Sequence, residues 1–175
     1  MNMRICIIGM PGCGKTKIGK RLSELTDMLF IEIDTLIERH FDLSVTDIFE
    51  THGEHRFREV EKVMLKEAMK YENAVISTGG GLPCFFDNLK VIKQNSFSVY
   101  LKLTEDLLIQ RLTNTGELKK RPLFSNLNEE EVKVYLSKTL KERDSYYKQA
   151  DLILNANDTF ENICNSILDN MKDFR

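Results

Sequence analysis

The chain has 175 residues, 42% of them hydrophobic and 30% charged, with a formal net charge of -2. That length fits one domain burying about two thirds of its unfolded surface, and the near-neutral balance excludes the broad positive field by which proteins hold nucleic acid. The longest charge-free stretch, Ala74 to Phe86, falls short of the roughly 20 apolar residues that span a bilayer, so no membrane partner is expected.

A β-type run at Arg4–Ile8 opens the chain and leads at once into a glycine-rich loop, Gly9 to Thr16, leaving no room for a cleavable signal peptide. Further β-type runs at Leu29–Ile33, Ala74–Ser77, Ser96–Leu101 and Leu152–Leu154 alternate with amphipathic helical stretches, among them Val60 to Ala68 and Glu129 to Tyr147. Alternation of this kind predicts an α/β protein: a five-stranded parallel sheet with helices on both faces, in three α/β/α layers. No repeat or linker divides the chain, so residues 1–175 read as one domain. The stretch Asn114 to Asn128 is polar, holds Gly116, Pro122 and the basic cluster Lys119-Lys120-Arg121, and reads as a mobile excursion between two helices. Four cysteines (Cys6, Cys13, Cys84 and Cys164) lie far apart without a C-x-x-C pair, which suggests neither a zinc site nor a disulfide frame and points to a reducing cytoplasm.

The opening loop, Gly9-x-x-x-x-Gly14-Lys15-Thr16, satisfies the full phosphate-loop pattern after a strand and before a helix. Its glycines let successive backbone N–H groups turn inward, the helix N-terminus adds partial positive charge, and Lys15 adds a full one. The Thr16 hydroxyl is suited to a Mg²⁺ ion bridging the β- and γ-phosphates. Cys13 reads as a small residue tolerated in the loop, with an oxidisable thiol at a helix terminus as the alternative.

GTPase signatures D-x-x-G and N-K-x-D are absent, so a kinase acting on a small second substrate is the leading reading. Such an enzyme needs a carboxylate to orient the attacking hydroxyl and cations to hold developing charge. Glu32 and Asp34 stand at the expected carboxyl end of the second strand, facing the phosphate-loop crevice, and strand alternation would put both on one side. Asp34 reads equally well as a helix N-cap. Arg58 offers a planar fork for a carboxylate, or else is a helix-surface arginine paired with Glu54 or Glu61. Gly79, Gly80 and Gly81 follow the third strand, where a close backbone approach to a ligand competes with a tight turn before a Pro-started helix. His40, His52 and His55 read as surface or packing residues.

The segments "FIEIDTLIE", "SVTDIFETHGEHRFREVE", "ISTGGGLP", "KKRPLF" and "LKERDSYYKQAD", taken with the phosphate loop, resemble the shikimate kinase family over most of the chain. The resemblance implies the P-loop kinase fold with a lid at about 113–127, a substrate-binding segment at about 34–61, and a cytoplasmic monomer acting in aromatic amino acid biosynthesis. It implies Mg²⁺-dependent transfer of the γ-phosphoryl group of ATP to the 3-hydroxyl of shikimate. Residue by residue, it places Gly12, Cys13, Gly14, Lys15, Thr16 and Lys17 on ATP. It makes Asp34 the residue that orients the attacking hydroxyl, and Arg58, Arg143 and the Gly79–Gly81 backbone the ligands of the acid. Arg121 becomes the lid arginine over the phosphates, with Thr16, and Glu32 through water, serving the metal. In Glu32 the chain carries glutamate where the family has aspartate, and Asn114 stands where the family often has an adenine-stacking arginine, with Arg111 one turn earlier. The rivals are another small P-loop kinase, for gluconate or a nucleoside monophosphate, and a nucleotide sensor without transferase activity.

Overall fold

The computed structural model describes residues 3–114, 128–172 and 174. Five strands, β1 (Arg4–Ile8), β2 (Leu29–Glu32), β3 (Ala74–Ser77), β4 (Phe97–Lys102) and β5 (Leu152–Asn155), form an all-parallel sheet in the order β2-β3-β1-β4-β5. Between and after them run α1 (Lys15–Thr26), α2 (Ile33–Phe41), α3 (Val45–Ala68), α4 (Asn88–Asn95), α5 (Glu105–Asn114), α6 (Glu129–Tyr147) and α7 (Phe160–Met171). The α/β architecture is the one the alternating pattern predicts. Ile5, Cys6, Ile7 and Ile8 of the central strand are fully buried, the continuous apolar run that a strand covered on both faces requires. On the edge strands Leu29 and Ile153 reach solvent.

Parallel register brings the carboxyl ends of the strands to one rim. Ser77 of β3 stands opposite both Ile7 of β1 and Glu32 of β2, and Ile8 stands opposite Tyr100 of β4. Thr78 ties the rim together, its N–H and hydroxyl both donating to the Ile7 carbonyl at 3.2 and 3.1 Å.

Four boundaries differ from the sequence reading, among them the end of β4, which runs on to Lys102. β2 stops at Glu32, and the chain enters α2 directly, because Ile33 and Ile37 bury on one helical face. β4 starts one residue later, since Ser96 caps α4 through its N–H and hydroxyl on the Ile92 carbonyl, at 3.0 and 2.7 Å. β5 runs on to Asn155 by pairing with Lys102.

Helix α3 begins at Ser44, whose hydroxyl accepts from the Asp47 N–H at 3.2 Å, and it bends at Gly53, where φ is 75° and ψ 167°. In a straight helix Phe49 and Phe57 would be separated by about 12 Å along the axis. Here their ring centroids are 4.5 Å apart. The bend folds the first turns of α3 back toward the residues that follow it.

Nothing lies within 4 Å of a methyl group built on Gly53, so steric room is not what demands glycine there. Backbone conformation is, because that φ/ψ region is open almost only to glycine. Gly53→Ala should therefore lower stability by about 1–3 kcal/mol, although alanine is the better helix former by about 1 kcal/mol. A urea midpoint for Gly53→Ala at or above that of the parent would show that the bend is not held by this residue.

Candidate active site

The phosphate loop crosses from β1 to α1 with Gly14 at the helix N-cap, in a left-handed conformation of φ 100° that glycine adopts without cost. Lys15 is buried, and its ammonium donates to the carbonyls of Gly9 at 3.0 Å and Met10 at 2.9 Å. The positive charge thus sits inside the curl of the loop. Gly12 leads into Cys13, which is buried with Sγ 3.8 Å from the Lys15 Nζ and close against Gly9, the position of a packing residue. Lys17 is exposed in the first turn of α1. The Thr16 hydroxyl donates to the carboxylate of Glu32, so the residues matched to the metal meet across the gap between α1 and β2.

Asp34 lies in the first turn of α2, past the end of β2. Strand alternation therefore does not place it beside Glu32, and it is not the N-cap, which is Glu32 itself without a side-chain capping bond. The anionic side chain instead occupies the turn where the helix dipole favours negative charge.

The glycine run is where the elements converge. Gly79, Gly80 and Gly81 all lack the positive φ seen at Gly9, Gly12, Gly14 and Gly53, so it is space that excludes a side chain. A Cβ at Gly79 would lie 2.7 Å from Asp34 Oδ1 and 2.7 Å from Glu61 Oε1. At Gly80 it would lie 2.6 Å from Pro11 Cδ of the phosphate loop, and at Gly81 2.6 Å from Arg58 Nη2. Four groups from three elements close on three consecutive residues. A short 3₁₀ helix with Pro83 in its first turn, Leu82–Cys84, follows the run, with the Cys84 N–H on the Gly81 carbonyl at 2.9 Å.

Arg58 pairs with Glu54 at 3.0 Å and Glu61 at 2.8 Å, the partners that helical spacing offers. It is no surface arginine, however. Only 8% of it is exposed, and the guanidinium carbon lies 4.3, 5.2 and 5.8 Å from the ring centroids of Phe85, Phe57 and Phe49. Cation–π attraction of this kind strengthens on desolvation. Arg143 of α6 is half-buried and close enough to act electrostatically on Glu61, Cys84 and Tyr147.

Arg121, with Lys119 and Lys120, lies outside the described residues, as does the expected lid apart from its first two positions, which end α5. Arg111 donates from Nη2 to the Ala156 carbonyl at 2.8 Å, joining α5 to the end of β5. His40 and His52 pack on the Phe41 ring, and His55 is exposed.

Two residues enter the site without a role in the sequence reading. Glu61 is fully buried between Arg58 and Asp34, and its Oε1 has no hydrogen-bond partner among the described residues. The R-x-x-E spacing signals its pairing with Arg58, though not its burial. Tyr147 is fully buried and donates to the Gly80 carbonyl.

Burial governs the electrostatics. It pushes the Glu61 carboxyl up to about 7, against the opposing pull of Arg58. For Arg58 burial works against the charge, and the Glu61 and Glu54 carboxylates more than offset it, so the guanidinium stays charged. Cys84 is raised to about 11, again by burial.

A family model for shikimate kinase matches residues 11–172. A shikimate kinase of Azobacteroides pseudotrichonymphae is 41% identical over 166 residues, spanning 91% of this chain and 96% of its own. In crystal structures, the shikimate kinase of Bacteroides thetaiotaomicron superposes with a TM-score of 0.89 at 34% identity, covering 97% of this chain and 98% of that one. The shikimate kinase of Acinetobacter baumannii in complex with shikimate superposes with a TM-score of 0.88 at 32% identity, covering 99% and 94%.

The buried carboxyl leaves a pH signature. Below the ordinary value of 4.5, Glu61 is protonated in both folded and unfolded chains; between 4.5 and about 7 only the folded chain keeps the proton. The folded state then binds more protons, so this contribution to stability is lost as pH rises through about 7. Across that window the loss should approach about 3 kcal/mol. Glu61→Gln, which cannot titrate, should flatten this part of the profile in urea unfolding at pH 5 and pH 8. Identical slopes for the two proteins would remove Glu61 as its source.

Proposed function

The chain belongs to the shikimate kinase family, whose reaction moves the γ-phosphoryl group of ATP to the 3-hydroxyl of shikimate, and on that premise we propose how its own residues divide the work. The observation that carries the scheme is the convergence of Asp34, Pro11 and Arg58 on Gly79, Gly80 and Gly81. It sets a carboxylate, the phosphate loop and a buried cation around one stretch of backbone.

The phosphate loop takes the triphosphate. Lys15, now on the Gly9 and Met10 carbonyls, turns its charge to the phosphates, and the N–H groups of residues 12–17 line them at the helix terminus. Thr16 and Glu32 fit a divalent cation, because a hydroxyl and a carboxylate already within hydrogen-bond reach are the hard oxygen donors that Mg²⁺ prefers. Bound there, Mg²⁺ would neutralise charge on the β- and γ-phosphates.

The acid binds across the glycine run. Arg58 and Arg143 grip its carboxylate, and the Gly79–Gly81 backbone supports the ring through N–H donors. Arg58 is suited to this because its fork is preorganised by Glu54, Glu61 and three aromatic rings, so little conformational freedom is lost on binding. Asp34 accepts a hydrogen bond from the 3-hydroxyl and orients its oxygen toward phosphorus, taking the proton as the bond forms.

Residues 34–61 form the acid-binding segment in this scheme. Residues 113–127 form a lid whose Arg121, assigned from the sequence motif alone, stabilises the transferring group and excludes water. The working unit in this scheme is one chain, as the family resemblance implies. The compartment is the cytoplasm, where the free cysteines stay reduced. No described helix is long and apolar enough to cross a membrane.

The first test is ADP release from Mg-ATP with shikimate, with gluconate, with a nucleoside monophosphate, and with no acceptor. Turnover is expected with shikimate alone, and turnover only with another acceptor would overturn the assignments of Arg58 and Arg143. Asp34→Asn should lower kcat by about 100-fold or more while leaving the KM for ATP nearly unchanged. Near-normal kcat in that variant would remove Asp34 from the chemical step.

A further inference from the structure

Backbone N–H groups satisfy the carbonyls on either side of Gly80. Leu82 donates to Gly79 at 3.2 Å and Cys84 donates to Gly81 at 2.9 Å. The Gly80 carbonyl instead takes a side-chain donor from a distant helix, the Tyr147 hydroxyl. The Met10 sulfur of the phosphate loop, 3.6 Å away, is a second acceptor within reach of the same hydroxyl, and Arg143, one turn earlier in α6, lies close enough to act on the phenol electrostatically. The ring is clamped against Tyr100 with centroids 5.0 Å apart, and Tyr100 is itself held through its hydroxyl on Asp144.

A buried hydroxyl costs free energy unless it is bonded, and phenylalanine would fill the same space without that cost. Burial also raises the phenol's pKa well above its ordinary value, so it remains a protonated donor at any working pH. The oxygen is therefore explained by what it bonds. Three successive glycines form the most permissive backbone a chain can carry, and fixing one carbonyl fixes the plane of the Gly80–Gly81 peptide.

We propose that Tyr147 is a positioning residue for the acid substrate: its hydroxyl holds the Gly80–Gly81 peptide in register with α6, the helix that carries Arg143, so that the peptide meets the substrate already oriented. This rests on the reading that the glycine run and Arg143 bind shikimate. It adds the device by which α6 sets their relative placement. Because binding shikimate to a loosened run must then restore that order, the loss falls on affinity for the acid and leaves the nucleotide largely untouched.

Tyr147→Phe removes the oxygen and keeps the ring. Its KM for shikimate, and the dissociation constant by calorimetry, should rise about 5- to 30-fold, while kcat and the KM for ATP stay within about threefold. Tyr100→Phe is the control, since it breaks the bond to Asp144 and keeps the stack; its shikimate KM should stay within about twofold of the parent. An unchanged shikimate KM in Tyr147→Phe overturns the proposal, and so does an equal rise in both variants, which would mark general packing of α6. If Tyr147→Phe does not fold, 3-fluorotyrosine at position 147 keeps the shape and strengthens the donor. It should lower the shikimate KM, and no change would again overturn the assignment. Glycine amide shifts in the ¹⁵N-labelled parent protein separate the two layers. If the amides of Gly79–Gly81 do not move with shikimate, the reading of the run as acid-binding fails. If they move while Tyr147→Phe binds normally, only the role of Tyr147 falls.

Discussion

A guanidinium kept almost wholly out of water is the constraint around which this site is organised. Removing an ion from water costs several kcal/mol even after relaxation, and taking away one partner of a buried pair costs about 3–5 kcal/mol. Arg58 therefore has to be surrounded, and the structure surrounds it with two carboxylates, three aromatic faces and a glycine that leaves room for the nitrogens. The bend at Gly53 serves the same end, because it brings Phe49 back over Phe57 and within reach of the cation. What results is a charge positioned before any ligand arrives.

That placement carries to the phosphate end through the glycine run. Arg58 leaves no room for a Cβ at Gly81, Glu61 and Asp34 leave none at Gly79, and Pro11 leaves none at Gly80, so the buried cation and the phosphate loop share one stretch of backbone. Parallel register makes this possible. With Ile7, Glu32 and Ser77 level across β1, β2 and β3, the chain segments leaving those strands emerge side by side. Close-packed interiors transmit displacement and do not absorb it, and Tyr147 extends the same contact network to the helix that follows residues 115–127. The pairing of Arg58 with a carboxyl raised by burial, Glu61, also shows that the arrangement is bought at some cost to stability near neutral pH.

Much of this was legible in the residues. The phosphate loop, the five strands and the span of α6 follow from local rules of periodicity and spacing, and each appears within a residue or so of its expected place. The pairing of Arg58 with Glu54 and Glu61 was legible too, since helical geometry brings those positions together whatever surrounds them. The burial of that cluster was not, because it depends on Phe85 and Gly81, residues distant in the chain. Asp34 shows the same limit: alternation assumed a strand that in fact ends at Glu32, because burying Ile33 and Ile37 together favours a helix.

Taken alone, the sequence determined what depends on neighbouring residues: the α/β alternation, the phosphate loop at a strand-to-helix turn, and the family to which the chain belongs. Only the tertiary structure decided what depends on residues far apart. It made Gly79, Gly80 and Gly81 glycines for lack of room and not for their φ angles, raised the Glu61 carboxyl by burial, and set the Tyr147 hydroxyl on the Gly80 carbonyl across 67 residues of chain. The physical reason is range: hydrogen-bond periodicity is written along the chain, whereas space and dielectric are properties of the packed interior, where no single segment carries the information.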